Sequence, residues 1–524
     1  MKILISTLHT KAAGLVVGLS LVSLSVTAQV SSTEATVAAI VQEANDRSQL
    51  KRLAHELMDG VGPRLVGSGK MVQASDWAIA QYGQWGIPAR RENYGTWRGW
   101  DRGVTHIDMG APWTRSIEGT QLAFSPATKK PVTAETIILA DAADSLAFQQ
   151  WLPNVKGKFV LISMPQPTGR PDYNWNEFGT KASIEKMKAE RTALADAWKK
   201  RISKTGLSNA KLADALEKAG AAGIVASNWS SGFGVNKIFA AFTKKIPTVD
   251  IALEDYGLLY RLTESGKQPS ISIYTQSKEL GTVPTFNTLA EIKGTEKPNE
   301  YVMLSAHFDS WDGGTGATDN GTGTLVMMEA MRILKAVYPH PKRTILVGHW
   351  GSEEQGLNGS RAFVEDHPEV VSNLQALFNQ DNGTGRIVNI GGSGYANAKD
   401  YLGRWLAAVP KSITDSIKTN FPGMPGGGGS DHASFVAVGV PAFSLGALNW
   451  SYFNYTWHTN RDTYDKIVFD DVRSNAILTA ILVYMACEDP ERSSTEKAIL
   501  PNGPNGPQKW PAPVKSKRAG GYDN

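Results

Sequence analysis

The chain of 524 residues contains a single cysteine, Cys487. One thiol cannot form a disulfide within the chain, and it cannot build a zinc site from cysteine ligands. The net charge of +4 is too small to suggest binding of nucleic acid. Apolar residues make up 41% of the sequence and charged residues 20%, which excludes a wholly disordered or fibrous chain and is typical of a large globular protein.

Long apolar runs are also scarce. One such run lies near the N-terminus, from Ala12 to Val26. It is shorter than the roughly 20 residues that a membrane-spanning helix needs. It follows Lys2 and Lys11 and leads to small residues ending at Ala28, as in a secretory signal peptide. The sequence therefore predicts a periplasmic or extracellular protein, cleaved near Ala28 and without stable membrane insertion. An uncleaved membrane anchor is the alternative.

The predicted secondary structure changes along the first half of the mature chain. Apolar spacing predicts helices over 29–60 and about 70–85. Residues 116–280 contain several short β-like runs, interrupted by a basic, helix-rich stretch at 180–219. Acidic residues are interleaved with the lysines and arginines of that stretch, which favours a solvated helix over a binding face for an acidic partner.

From Asn287 onward, strand patterns alternate with helix patterns. The predicted strands are 289–292, 301–306, 344–347 and 374–378, and the predicted helices are 321–338, 360–366 and 472–487. This alternation predicts an α/β fold in three αβα layers, with a mainly parallel mixed sheet covered by helices on both faces. Residues 491–524 are rich in proline, glycine and lysine and predict a surface tail.

Histidines and acids follow the predicted strands. These residues are His307, Asp309, Asp319, Glu353, Glu354 and Asp381, and His458 lies much later in the chain. In open α/β sheets the functional crevice lies outside the carboxyl ends of the strands, so we expect these side chains to converge there. Nitrogen and oxygen ligands without a thiolate suit zinc or another divalent ion. The sequence therefore predicts a metal site, in which an adjacent Glu-Glu pair can divide metal binding and proton transfer between its two carboxylates.

Six motifs in this order give the chain a resemblance to a known family. They are HFDSW, GATDNGTG, HWGSEEQGLNGS, FNQDNG, SDHASF and WHTNRDT. Together they resemble the exported co-catalytic di-zinc aminopeptidases and carboxypeptidases. The segment GPRLVGSG and the helix after it are most similar to the carboxypeptidase Q branch. The segments KAGAAGIV and IPTVDI resemble the protease-associated domain that is inserted in many members.

The resemblance implies two zinc ions per chain, held by five ligands. Asp319 would bridge both ions. His307 and Asp381 would complete one site, and Glu354 and His458 would complete the other. This arrangement implies a zinc exopeptidase domain whose two ions share one carboxylate.

The resemblance also implies the roles of residues around the ions. A hydroxide held between the two ions would attack the peptide carbonyl, with Glu353 as general base. Asp309 would hold the imidazole of the first histidine ligand, and Ser430 would support a ligand carboxylate. The peptide bond between Asp319 and Asn320 would be cis.

The resemblance divides the chain into a peptidase domain and a β-rich protease-associated insertion. The expected parts are a signal peptide (1–28), the first part of the peptidase domain (29–115), the insertion (116–280), the second part of the peptidase domain with the metal centre (281–490) and the tail (491–524). Short peptides are the expected substrates and a homodimer the expected assembly. Aminopeptidase and carboxypeptidase or dipeptidase activity both stay open, as do a glutaminyl-cyclase-like transferase with one zinc and a non-catalytic, receptor-like binding protein.

Overall fold

The computed structural model describes residues 32–426, 428–503 and 506–521. The predicted signal peptide, residues 1–28, lies outside the described residues. Within the described ranges, no helix has both the length and the apolar character that crossing a membrane requires.

Helices and strands alternate along most of the chain. The helices are α1 (32–46), α2 (Leu50–Ala54), α3 (Gly69–Gln84), α4 (Ser145–Trp151), α5 (Asp172–Phe178), α6 (Lys181–Lys204), α7 (Asn209–Lys218), α8 (Leu253–Glu264), α9 (Thr322–Val337), α10 (Asn358–Asp366), α11 (Pro368–Ser372), α12 (Ala398–Ala407), α13 (Lys411–Thr414), α14 (His432–Val436) and α15 (Phe469–Glu488). The strands are β1 (Ala89–Ala111), β2 (Arg115–Ser116), β3 (Gly119–Gln121), β4 (Val132–Ile138), β5 (Phe159–Leu161), β6 (Gly223–Ala226), β7 (Thr248–Ile251), β8 (Ser270–Ile292), β9 (Lys297–His307), β10 (Arg343–Trp350), β11 (Leu374–Asn379), β12 (Ile387–Gly391), β13 (Lys418–Asn420), β14 (Ala442–Ala447), β15 (Asn502–Gly503), β16 (Gly506–Pro507) and β17 (Ala519–Gly520).

The second half of the chain is built on a mainly parallel mixed sheet. Its strands lie in the order β13-β12-β14-β11-β9-β10-β8. The neighbours β14, β11, β9 and β10 run parallel to one another, whereas β8 is antiparallel to β10 and β12 is antiparallel to β14. The predicted α/β fold class with a mainly parallel mixed sheet is confirmed.

Helices cover both faces of this sheet because successive residues of each buried strand face opposite sides. Leu304 of β9 packs in a core with Leu325 of α9 and Leu478 of α15. Its neighbour Met303 packs in a second core with Phe363 of α10 on the other face. The two cores give the three αβα layers that the alternation of strand and helix patterns predicts.

The strands β1 and β8 form a two-stranded ribbon that the sequence patterns did not reveal. Each is 23 residues long, and they pair antiparallel from Ala89 opposite Ala290 to Ala111 opposite Ser270. The sequence predicts only the apolar ends of β8, at 271–274 and 289–292, since the charged and half-exposed side chains of both strands hide the strand pattern. The ribbon continues the sheet into β4, which pairs with β8 at Val132.

The middle segment, residues 116–280, carries the strand order β4-β5-β6-β7-β3 and two hydrophobic clusters of its own. It also contains the 24-residue helix α6, which is longer than strands β3 to β7 together. The domain boundaries and the likeness to a protease-associated domain stay predictions.

The predicted tail returns to the body of the protein. Ala519 of β17 pairs in parallel with Thr96 of β1. The guanidinium of Arg518 forms ion pairs with Glu365 and Asp366 at the end of α10. The described end of the tail therefore lies across the surface and is fixed to it by strand pairing and ion pairs.

Candidate metal centre

Sheet register brings the predicted site residues together at one edge. His307 is the last residue of β9 and lies opposite Trp350, the last residue of β10. Asn379, the last residue of β11, lies opposite Ser305 of β9. The loops that carry the acids start directly after these strand ends, so Glu353, Glu354 and Asp381 meet His307 at the carboxyl edge of the sheet.

The first candidate ligand group consists of His307, Asp319 and Asp381. The Nε2 atom of His307 lies 3.1 Å from Oδ1 of Asp381 and 3.3 Å from Oδ1 of Asp319. The other ring nitrogen, Nδ1, lies 2.9 Å from the main-chain oxygen of Asp309. A hydrogen bond from Nδ1–H to a carbonyl leaves Nε2 free to bind a metal ion.

The second candidate group consists of Asp319, Glu354 and His458. Nε2 of His458 lies 2.8 Å from Oε2 of Glu354 and 3.3 Å from Oδ2 of Asp319. Asp319 therefore belongs to both groups and presents a different carboxylate oxygen to each histidine. The peptide bond between Asp319 and Asn320 is cis, as predicted.

The geometry of both groups fits zinc. A tetrahedral ion with bonds of about 2.0–2.1 Å holds its ligand atoms about 3.3 Å apart. The separations of 2.8–3.3 Å between histidine nitrogens and carboxylate oxygens lie close to this value. Burial raises the pKa of Glu354 well above its usual range, and the charges of Asp319, Asp309 and Asp381 raise it further. Such crowded negative charge favours a bound cation.

Asp309 contacts the site in a different way from the one that we predicted. Its carboxylate oxygen Oδ1 lies 3.8 Å from Nδ1 of His307, whereas its main-chain oxygen is within hydrogen-bond distance. The carboxylate instead accepts the backbone N–H groups of Glu353 at 3.0 Å and Glu354 at 3.3 Å. Asp309 thus holds the histidine with its backbone and the Glu-Glu pair with its side chain.

Ser430 has a different partner from the expected ligand carboxylate. Its hydroxyl oxygen accepts a hydrogen bond from Nδ2 of Asn379 at 2.8 Å. The side-chain oxygen of Asn379 in turn accepts the hydroxyl of Ser305 at 2.7 Å. Ser430 therefore joins the ends of the central strands beside the site.

Two buried charged residues support the loop before Asp319, and sequence reasoning gave neither of them a role. The carboxylate of Asp462 accepts the backbone N–H groups of Thr318 at 2.7 Å and Asp319 at 2.9 Å. The guanidinium of Arg64 donates to the main-chain oxygens of Phe308, Thr315 and Gly316, at 2.7 to 2.8 Å. Both residues lie in motifs on which the family resemblance rests. That resemblance was the only signal in the sequence that could have identified them.

The middle segment holds the loop that carries His458. The backbone N–H of Ile238 donates to the main-chain oxygen of His458 at 2.7 Å. The ring of Phe239 lies 5.2 Å from the imidazole, and the ring of Trp457 is stacked on it at 3.9 Å. Lys237 places its ammonium 4.4 Å from the Trp457 ring, and burial lowers the pKa of this lysine to about 8. The second ligand group is therefore framed by residues from two distant parts of the chain.

The chain is similar to known proteins in sequence and in fold. Residues 287–483 match the sequence profile of peptidase family M28. Carboxypeptidase Q from Homo sapiens is 27% identical over 466 residues, which cover 86% of this chain and 88% of that protein. A peptidase M28 precursor from Shewanella amazonensis SB2B is 24% identical, with a TM-score of 0.65 over 90% of this chain and 99% of that chain. BSAP, a zinc aminopeptidase from Bacillus subtilis, is 19% identical, with a TM-score of 0.55 over 86% of this chain and 97% of that chain.

The solved structures share the fold, and the matched range 287–483 contains both candidate ligand groups. Through these residues the chain is similar to peptidase family M28.

Proposed function

We propose that this chain is a zinc exopeptidase that cleaves terminal residues from short peptides. The observation that carries the proposal is the shared carboxylate of Asp319, whose two oxygens face His307 and His458 separately. Two ions that share a carboxylate are a common centre for hydrolysis. The match of residues 287–483 to peptidase family M28 supports peptide bonds as the target, and the relatives named above include both a carboxypeptidase and an aminopeptidase.

Zinc in the two groups would supply Lewis acidity for attack of water on the peptide carbonyl. Glu353 is the residue that moves the proton: it takes one from the attacking water and returns it to the leaving amine. Burial raises the pKa of Glu353 well above its usual range, which suits a carboxylate that must hold a proton between these two steps. The N–H of Glu353 donates to Asp309, which fixes the backbone of this base.

Replacement of Glu353 by glutamine tests this function. We expect Glu353→Gln to keep its zinc and to lose about 10²–10⁴-fold in kcat, because the amide cannot accept the proton. Glu369→Gln is the matched control, since Glu369 is exposed at the start of α11 and belongs to neither ligand group. Normal peptide cleavage by Glu353→Gln would contradict the assignment. Binding of peptides without cleavage by the wild type would favour a receptor-like protein.

A panel of dipeptides decides between the two exopeptidase classes. Cleavage of N-blocked but not C-amidated dipeptides indicates a carboxypeptidase, and the reverse indicates an aminopeptidase. Cleavage of free dipeptides alone indicates a dipeptidase that needs both termini.

Export after cleavage near Ala28 and assembly as a homodimer also stay proposals. N-terminal sequencing of the protein from the periplasm or medium tests the first. Analytical ultracentrifugation tests the second.

A further inference from the structure

A large cavity extends from the metal centre into the middle segment. Its volume is about 740 Å³, and its wall includes Glu354 and Gln355 at the end nearer the metal centre. Most of the wall is aromatic or aliphatic, with Phe124, Trp198, Leu212, Leu216, Phe239 and Trp311 among its residues. A volume in the range of about 300–1,000 Å³ with apolar walls is typical of sites that bury a small ligand.

Three side chains of this wall bear buried polar atoms without a hydrogen-bond partner among the described residues. They are Nε1 of Trp97, Nε1 of Trp311, and both Oε1 and Nε2 of Gln355. Most buried polar atoms in folded proteins have a partner, so a cluster of such atoms around one cavity needs an explanation. A ligand with polar groups of its own would supply these partners.

We propose that this cavity is a substrate subsite for a bulky apolar residue of a peptide, with Trp311 and Gln355 pairing with the polar groups of its main chain. The inference rests on the proposed peptidase function. Indole N–H groups can only donate, whereas a glutamine amide both donates and accepts. Together they match the carbonyl oxygen and the N–H of a peptide, and the apolar walls match an aromatic or large aliphatic side chain.

The position of the cavity fits a residue next to the cleaved bond. Glu354 belongs to a ligand group and also lies in the cavity wall. The Trp311 ring lies 6.0 Å from the imidazole of His458 and 5.8 Å from the ring of Phe239. A peptide whose carbonyl lies at the centre therefore has an adjoining side chain at the entrance to this cavity.

The subsite also gives the middle segment a role in specificity. Helices α6 and α7 and the residues from Phe239 to Phe242 contribute to the cavity wall. The same part of the chain holds the His458 loop through Ile238. The segment would thus recognise the side chain of the substrate, and it would also position the metal ligand His458.

Titration calorimetry on the zinc-loaded Glu353→Gln protein tests the inference without turnover. The probes are the dipeptides Phe-Phe and Ala-Ala, which carry the same free termini. We expect Phe-Phe to bind at least about tenfold more tightly, as an apolar pocket discriminates by size. The double variant Trp311→Phe/Gln355→Leu keeps apolar bulk and removes the polar atoms that pair with the main chain, so the affinity for both dipeptides should fall at least about fivefold.

A second variant fills the cavity without touching the polar atoms. Ala213 lies in the wall on α7, so Ala213→Phe should remove most of the preference for Phe-Phe. The matched control is Ala189→Phe, since Ala189 is exposed on α6 and does not line the cavity. If Ala213→Phe does not fold, the affinity of the double variant for the two dipeptides decides alone.

The outcomes separate this inference from the proposed function. A preference for Phe-Phe that Ala213→Phe reduces, together with weaker binding of both dipeptides by the double variant, supports the subsite, even if the wild type cleaves no peptide and the proposed activity fails. Equal affinity of the wild-type pocket for the two dipeptides, or affinities that neither variant changes, overturns the subsite even if the wild type is an active peptidase.

Discussion

The carboxylate of Asp462 accepts the backbone N–H of Asp319 at 2.9 Å, and it accepts the preceding N–H, of Thr318, at 2.7 Å. It therefore fixes the main chain at the residue that both candidate ligand groups share. Asp462 is buried, and burial raises the pKa of its carboxyl to about 7. Asp462 therefore acts on the metal centre through the backbone of Asp319 and does not need to contact an ion.

Replacement of Asp462 by asparagine should weaken metal binding. The amide has one acceptor oxygen, so its NH₂ group would face one of the two backbone N–H groups and leave it without an acceptor. We expect the affinity for zinc to fall about 10–100-fold with the fold retained. Competition with a chelating dye measures this change, and circular dichroism checks the fold.

The control for this prediction is Asp465→Asn, because Asp465 lies in the same stretch with a side chain that is 71% exposed. Its zinc affinity should equal that of the wild type. An unchanged affinity in Asp462→Asn would show that the backbone of Asp319 needs no such support.

Arg64 should be important for stability. Its side chain is fully buried and donates to three main-chain oxygens of the loop that follows β9. Arg64→Met removes these donors and leaves the buried carbonyls without partners, so we expect the free energy of unfolding to fall by about 3 kcal/mol or more. Urea denaturation in the presence of zinc measures this loss.

The matched control is Arg52→Met, since the Arg52 side chain is 42% exposed and pairs with Glu56 at the surface. Such a pair contributes less than about 1 kcal/mol. Similar losses in both variants would contradict a special role for Arg64.

His349 should make the fold sensitive to acid. It is fully buried in β10, where Nε2 contacts the hydroxyl of Tyr82 at 2.7 Å, and burial lowers its pKa to about 3 from an ordinary value of 6.5. Between pH 6.5 and 3 the unfolded chain binds a proton here that the folded chain does not bind. The free energy of unfolding therefore falls as the pH decreases through this range, by up to about 1.4 kcal/mol per pH unit.

Urea denaturation at pH 7, 6 and 5 tests this dependence at equal zinc loading. His349→Gln should lose less stability than the wild type between pH 7 and pH 5. His340→Gln replaces an exposed histidine and should follow the wild type. Parallel curves for all three proteins would assign the acid sensitivity to other groups.

The sequence predicted the site residues best where their position follows directly from the order of the strands. His307, Glu354 and Asp381 lie at or just after the ends of three neighbouring strands, and parallel strands bring such ends to one edge. A general rule of sheet architecture was therefore enough to place these side chains together. The motifs then identified His458, whose position depends on a loop that no strand pattern reveals.

The supporting contacts could not be read in the same way. Arg64 and Asp462 contact the loop before Asp319 from positions more than 140 residues away along the chain. Charged residues usually lie on the protein surface, so the sequence gives no reason to expect either of them to be buried. Only the fold shows that both are buried against backbone groups. The role of Asp309 differed for a related reason, because sequence spacing cannot distinguish a side-chain hydrogen bond from one made by a backbone carbonyl.

Zinc stoichiometry tests the central claim most directly, namely that two ions share Asp319. Metal analysis of the purified protein should give two zinc ions per chain for the wild type. His307→Ala and His458→Ala should each keep one ion, and Asp319→Ala should bind both weakly. A single zinc in the wild type, with both histidine variants losing that same ion, would contradict the shared two-zinc centre.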